Sequence, residues 1–275
     1  MIAVKLQNIR VLLLGLLAYC LLLSTACIPL QAKEPLIPTN DLPPDAAALL
    51  VFSKTAGYRH ASISDGIAAI QTIGVEYGLR VDTTEDAAIF SDQGLAPYRA
   101  VIFLNTTGDI LDAAQEAAFE RYIRAGNGYV GVHAASDTEY DWAWYGGLVG
   151  AYFADHPAIQ TATVQTSDQS HPSTVGLPAA WQRRDEWYNF GSLPPAEAQI
   201  LLTIDEESYS GGTMGDLHPL SWAQQYDGGR SWYTAMGHTG ESFSEPLFLA
   251  HLSGGILWAA GLSDATALYL PKLQH

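Results

Sequence analysis

Seven histidines, at positions 60, 133, 156, 171, 218, 238 and 251, lie before the terminal His275. Imidazole changes charge near neutral pH and also ligates divalent metals, so its placement is the first thing to read for chemistry. His60, His133, His218 and His238 fall in loops or at the ends of apolar runs, where a side chain can meet a ligand. The most telling is His133, in Gly128-Tyr129-Val130-Gly131-Val132-His133-Ala134-Ala135-Ser136-Asp137-Thr138. A β-prone run ends on the imidazole, and Gly131 and Ala134 are small enough for a tight strand-to-helix turn with a lifted side chain at its apex. Taken singly, such a histidine is as readily a cap or a core residue. His156, His171 and His218 each precede proline, which imposes extended or turn backbone. For His156 and His171 the reading is a structural corner; His251 falls within a helix and reads as packed and hydrogen-bonded.

Glu186, in Asp185-Glu186-Trp187-Tyr188, is the candidate general base or ligand. Its ordinary alternative is an exposed carboxylate beside Arg183 or Arg184. Tyr58, Arg59, Trp187, Tyr188 and Tyr209 can supply stacking faces and donors to a polar ring, although core packing competes, more strongly for Trp187 than for Tyr58. Several histidines and carboxylates on one rim could hold a divalent metal, but no ligand spacing is diagnostic of one. There is no phosphate loop, dinucleotide fingerprint or HExxH helix, so no nucleotide cofactor is expected. Both cysteines, Cys20 and Cys27, precede Lys33. The body of the chain therefore has no disulfide, zinc thiolate or thiol nucleophile.

These side chains need elements to position them. Ala46–Ser53 reads as a buried strand, followed by the loop Lys54–His60 and a helix from Ser62 or Ser64 to about Gly78. Leu79–Thr83 and Ala100–Leu104 are further strands. Asp112 caps a helix to Arg124 that stops at Gly126. The strand Tyr129–His133 completes a βαβ alternation that predicts a doubly wound parallel sheet. Beyond it, Tyr140–Tyr152 is aromatic and glycine-rich and in part helical, and His156–Thr166 and Ala198–Ile204 read as strands. Ser221–Tyr226 and Arg230–Met236 form a hairpin around Asp227-Gly228-Gly229, and Pro246–Ala260 is a closing helix. The polar and aromatic stretch Trp181–Phe190 receives no element.

The amino terminus has a different grammar. Lys5 and Arg10 precede the apolar run Val11–Leu23, which is too short to span a bilayer, and Ser24-Thr25-Ala26 offers a cleavage site. Residues 1–32 thus read as a signal peptide. Leu23-Ser24-Thr25-Ala26-Cys27 is similar to a lipobox with serine where leucine is usual, so membrane anchoring through a lipidated Cys27 is an alternative to plain export. The expected location is periplasmic, free or as an anchored lipoprotein. Residues 33–45 are a proline-rich linker, and 46–275 form the folded domain. Of the 275 residues, 13 are basic and 29 acidic; removing the signal leaves 11 basic and a formal charge of −18. With no basic stripe, the composition argues against nucleic acid and anionic lipid surfaces as partners.

Several segments, taken together, resemble the ThuA-like, or trehalose-utilisation, family. They are Gly57-Tyr58-Arg59-His60, Gly131 to Thr138, Leu148 to Phe153 with His156-Pro157, His171-Pro172-Ser173-Thr174, Asp185 to Phe190, Ser208-Tyr209 with Gly211 to Asp216, His218 to Trp222, Gly229 to Thr234, and Gly237-His238-Thr239. The likeness runs in order from about Leu49 to Gly261. It implies an α/β flavodoxin-like three-layer sandwich with a mostly parallel central sheet, similar to class I glutamine amidotransferases. Those enzymes carry a nucleophilic cysteine at the elbow; here the elbow holds His133, and without a cysteine a glutaminase mechanism is excluded.

The resemblance implies a small-molecule sugar as partner. The expected protein is an exported enzyme of carbohydrate catabolism, a hydrolase, lyase or isomerase acting on a disaccharide or 3-keto-glycoside. His133, Glu186 and His238 are the expected catalytic residues, and Tyr58, Arg59, His60, Trp187, Tyr188, Tyr209, Asp216 and His218 the expected sugar-binding set. The alternative is a non-catalytic sugar-binding module on a degenerate amidotransferase-like fold. Both readings expect His60, His133, Glu186, His218 and His238 to converge on one pocket at the carboxyl edge of the sheet.

Overall fold

Ala48–Phe52 forms β1, and all five of its residues are buried, as a strand covered on both faces requires. It belongs to a computed structural model that describes residues 46–263; the signal segment, Cys27 and the linker lie outside the described residues. The chain continues through α1 (Ile63–Tyr77), β2 (Arg80–Thr84), α2 (Asp92–Leu95), β3 (Tyr98–Leu104), α3 (Ala113–Arg124) and β4 (Gly128–Val132). After these come α4 (Ala143–Val149), β5 (Phe153–Asp155), β6 (Gln160–Thr166), β7 (Ala180–Asp185), β8 (Asn189–Phe190), β9 (Gln199–Asp205), β10 (Pro219–Tyr226), β11 (Gly229–Thr234) and α5 (Pro246–Ala259).

Local chemistry sets the boundaries. The Asp112 carboxylate accepts from the backbone N–H of Ala114 and Gln115, and the Gln115 side chain returns the bond to Asp112 N, a complete capping box at the start of α3. The β10–β11 hairpin turns through Asp227 and Gly228, both at positive φ (46° and 95°). That is the backbone a two-residue primed turn demands.

Nine strands form one sheet in the order β2-β1-β3-β4-β11-β10-β9-β6-β7. The first five pair in parallel, and the remaining pairs are antiparallel. Seven of the nine strands, including β7 at the far edge, nevertheless run in the same sense. Helices cover both faces of the parallel part. Phe103 of β3 stacks on Phe119 of α3, whereas the next residue, Leu104, lies against Gly66 of α1. The protein is thus an α/β three-layer sandwich with a large central sheet.

The antiparallel extension carries the strand that sequence periodicity missed. In β7 the side chains of Arg183 and Asp185 point inward while Gln182 and Arg184 are exposed. The alternation is real, but charged residues fill its inner positions, so a search for apolar periodicity passes over it. Four strand spacings separate β7 from β11, about 19 Å in a flat sheet. Yet the Asp185 carboxylate accepts from Gly237 N, just beyond β11, at 2.9 Å. The extension therefore curls back over the carboxyl rim of the parallel strands. No helix among the described residues is long and apolar enough to cross a membrane.

Candidate active site

His133 follows β4 directly and opens a single turn of 3-10 helix, His133–Ser136. Its φ is +49°, a left-handed conformation that costs a non-glycine residue about 1–3 kcal/mol. The neighbouring strand offsets this: Tyr233 Oη donates to the His133 carbonyl at 2.8 Å, and Ser136 Oγ bonds to Tyr233 Oη at 2.9 Å. The elbow inferred from the sequence is present, with a fully buried imidazole at its apex.

His133 Nδ1 lies 2.7 Å from the carbonyl of Ala235. A carbonyl only accepts, so Nδ1 carries the proton and the other ring nitrogen, Nε2, faces the site. There it lies 3.2 Å from His238 Nδ1 and 3.5 Å from Glu186 Oε2. His238 Nδ1 and Glu186 Oε2 are 2.9 Å apart. The His60 ring packs edge-on against the rings of His133 and His238, with centroids 4.9 and 5.0 Å away. One donor atom from each of His60, His133, Glu186 and His238 falls within 4.8 Å of all the others. These residues follow β1, β4, β7 and β11, four strands of like direction, so the shared rim is a consequence of topology.

Electrostatics sharpen the picture. Burial, reinforced by the neighbouring His133 and His238, lowers the His60 imidazole to about 3, so it is neutral at physiological pH. For Glu186, burial works against the charge, but its close contacts with the His133 and His238 imidazoles outweigh it. The carboxyl is held well below the usual carboxylate range. Tyr188 closes one wall with its ring 4.1 Å from that of His133. The centre meets solvent on the side of His238 (side chain 17% exposed) and His156 (43%).

The other expected site residues divide. Tyr58 is 66% exposed and stands edge-on to His60 at 4.8 Å, at the mouth. Arg59 turns outward into an ion pair with Glu85 at 2.7 Å. Trp187 is a core residue whose Nε1 donates to Gln160 O, the packing role already favoured for it. His218 does not join the four: its ring nitrogens are taken by Glu206 Oε1 and Tyr188 O, both at 2.8 Å, and it buttresses Tyr188 from behind. Tyr209 hydroxyl bonds to His218 at 3.1 Å in that same outer layer. Asp216 is exposed on the loop before His218. His156, read from the sequence as a structural corner, instead reaches Glu186 Oε1 at 3.0 Å and caps the open side.

Three supporting residues had no assignment from the sequence. Thr107, just after β3, holds the Tyr58 loop: its carbonyl accepts from Ala56 N at 2.7 Å and its hydroxyl donates to Tyr58 O at 3.0 Å. Asn105, at φ +50°, donates to Ser62 Oγ and Gly237 O and so ties α1 to the His238 loop. Asp185 accepts from Gly237 N, Thr239 N and Ser242 Oγ, clasping the Glu186 strand to that loop. The rim position of Asn105-Thr106-Thr107 was the available signal for the first two. Asp185 could be found only once β7 was known to curl back.

A buried carboxylate gripped by imidazoles can move a proton to or from a ligand oxygen or an acidic carbon. The same four donors, three nitrogens and one oxygen, are also of the types that divalent transition metals take. No cysteine is present in the site, so no covalent thioester chemistry is available to it.

Comparison with known proteins identifies the family and the fold. Residues 48–259 match the family described as ThuA, trehalose utilisation. The sequence has no match among curated proteins. Among solved structures, the fold is similar to a putative ThuA-like protein from Bacteroides uniformis, at 22% identity and TM-score 0.67 over 83% of this chain and 94% of that one. A second ThuA-like protein, from Parabacteroides merdae, aligns at 20% identity and TM-score 0.64 over 78% and 90% of the two chains. A cytoplasmic protein from Salmonella typhimurium shares the fold at 11% identity and TM-score 0.55, covering 77% and 98%.

Proposed function

The chain belongs to the ThuA family of trehalose utilisation, and from that premise we propose that it is an exported enzyme of carbohydrate catabolism acting on a disaccharide or a 3-keto-glycoside. The observation that carries the reading is the convergence of His60, His133, Glu186 and His238 on one rim, beside the exposed ring of Tyr58. A buried carboxylate with three imidazoles is an expensive arrangement for packing alone, because charged and unpaired polar groups cost stability when taken out of water. Such clusters concentrate where proton transfer or ligand activation is needed.

His133, Glu186 and His238 carry the chemistry. Glycoside hydrolysis, elimination and isomerisation all move a proton at a sugar oxygen or at a carbon beside a carbonyl, and this set is placed to do so. Tyr58 supplies an aromatic face to the sugar ring at the mouth, and His156 closes over it. Export through the amino-terminal signal, either free or held by a lipidated Cys27, puts the site where imported glycosides arrive.

The test is to incubate the purified mature chain with trehalose, 3-keto-trehalose and related disaccharides and to resolve the products. Turnover that falls by about 100-fold or more in Glu186→Gln and His133→Ala, the usual range for a lost acid or base, supports the reading. Saturable sugar binding without turnover, unchanged in both variants, would instead identify a binding module. No binding and no turnover of any glycoside overturns the proposal.

A further inference from the structure

We propose that His60, His133, Glu186 and His238 together hold one divalent first-row transition-metal ion. The inference rests on reading this rim as the reactive site, and it changes the role of the four side chains from proton carriers to ligands.

The distances argue it first. Ligand atoms about 2.1 Å from a metal lie about 3.0 Å apart when they subtend a right angle and about 3.4 Å apart at the tetrahedral angle. The three measured separations among His133 Nε2, His238 Nδ1 and Glu186 Oε2 are 2.9, 3.2 and 3.5 Å. Three side chains from β4, β7 and β11 thus already form one face of a coordination polyhedron. The fourth donor, from His60, lies within 4.8 Å of each of them.

Protonation points the same way. The proton of His133 is fixed on Nδ1 by the Ala235 carbonyl, which leaves a lone pair on the nitrogen that faces the other donors, as a ligating imidazole requires. His60 is buried, and its Nδ1 has no hydrogen-bond partner among the described residues. A buried ring nitrogen without a partner is unfavourable, and an ion drawing this ring into coordination would change that balance. Around the ligands, Asp185 fixes the backbone of Gly237 and Thr239 on either side of His238. His156 holds the second oxygen of Glu186 at 3.0 Å. The orientations of His133, Glu186 and the His238 loop are therefore set by neighbours before any ion arrives, the preorganisation that metal sites depend on.

The donor set selects the ion class. Three imidazoles and one carboxylate suit zinc, manganese, iron(II), cobalt or nickel, and not magnesium or calcium, which prefer oxygen throughout. Four protein ligands leave the side toward His156, Tyr58 and solvent for one or two further oxygens. A vicinal diol or a keto-alcohol of a sugar has two such oxygens at chelating distance.

The mature chain, with any affinity tag removed, should be stripped with chelator and titrated separately with zinc, manganese and cobalt chloride by calorimetry, with metal content read by elemental analysis. One equivalent is expected per chain, with a visible cobalt spectrum of imidazole ligation. Glu186→Gln and His238→Ala, checked for folding by circular dichroism, should each weaken binding by about tenfold or more, at least the scale on which partners of metal ligands act. Asp141→Asn, on the exposed acidic surface, should bind as the parent does. Failure of all three metals to bind stoichiometrically, or binding that survives both ligand substitutions, overturns the inference. Turnover untouched by chelation would leave the enzymatic reading standing without the metal; a tight metal without turnover would do the reverse.

Discussion

Replacing Asp185 with alanine should loosen the whole rim without touching the centre itself. The carboxylate is fully buried. It accepts from Glu186 N (3.0 Å), Thr239 N (3.3 Å), Gly237 N (2.9 Å) and Ser242 Oγ (3.1 Å), and pairs with Arg183 at 3.2 Å. Alanine strands several donors at once and leaves the buried Arg183 guanidinium with Glu245 as its remaining carboxylate, 3.0 Å from Nε. Removing one partner of such a buried pair costs about 3–5 kcal/mol. At about 2–4 °C per kcal/mol for a domain of this size, the melting temperature should fall by roughly 6–20 °C. Asparagine keeps one acceptor oxygen and loses the charge, so Asp185→Asn should fall between parent and alanine. Urea unfolding followed by tryptophan fluorescence measures the free energy directly, and an unchanged slope would confirm that the same transition is observed. The clasp also sets where His238 meets Glu186, so metal or sugar binding should weaken in the asparagine variant even below its melting point. A loss under about 1 kcal/mol in the alanine variant, within the range of unremarkable substitutions, would refute the claim that Asp185 closes the sheet over the site.

Two other outcomes follow from the structure and a third from the sequence. Burial lowers His171 from 6.5 to about 4 and His251 from 6.5 to about 3. Both are neutral in the folded and unfolded states above pH 6.5; below it the unfolded chain takes up protons that the folded chain refuses. Stability should therefore be complete above pH 6.5 and decline by up to about 3 kcal/mol per pH unit toward pH 4 for the two together, and a melting temperature flat across that window would contradict it. Gly128→Ala would drive a Cβ into the backbone carbonyl of Ala259 at the end of α5; overpacking of this kind costs about 1–3 kcal/mol, measurable by calorimetry against the parent. If Cys27 carries the proposed lipid anchor, Cys27→Ser should shift the chain from the membrane fraction toward the soluble periplasm of an expressing Gram-negative host, and an unchanged distribution would argue against that anchor.

The parallel half of the fold was open to reading because its signals are local. Apolar runs at β1, β3 and β4, the Asp112 cap, the stop at Gly126 and the Asp227-Gly228 turn each follow from a few adjacent residues and their backbone preferences. The small residues around His133 likewise announced a tight turn after a buried strand, and the turn is there. The placement of His60 and His133 on one rim needed only the rule that parallel strands end on the same edge.

The sequence also pointed to one pocket shared by His60, His133, Glu186, His218 and His238, but not to which of them touch. Glu186 and His238 arrive from β7 and β11, which are four strands apart in the sheet and are brought together by its curl. His156 and His218 carry the same His-Pro signature, yet one meets Glu186 on the open side and the other is buried against Glu206 and Tyr188. Residue type and spacing determined that this chain builds an α/β sheet with imidazoles and a carboxylate near its strand ends. Only the tertiary structure decided which of the expected residues make the centre, bringing His60, His133, Glu186 and His238 together and leaving His218 behind Tyr188, because donor distances of about 3 Å depend on sheet curvature and long-range register, which no local preference encodes.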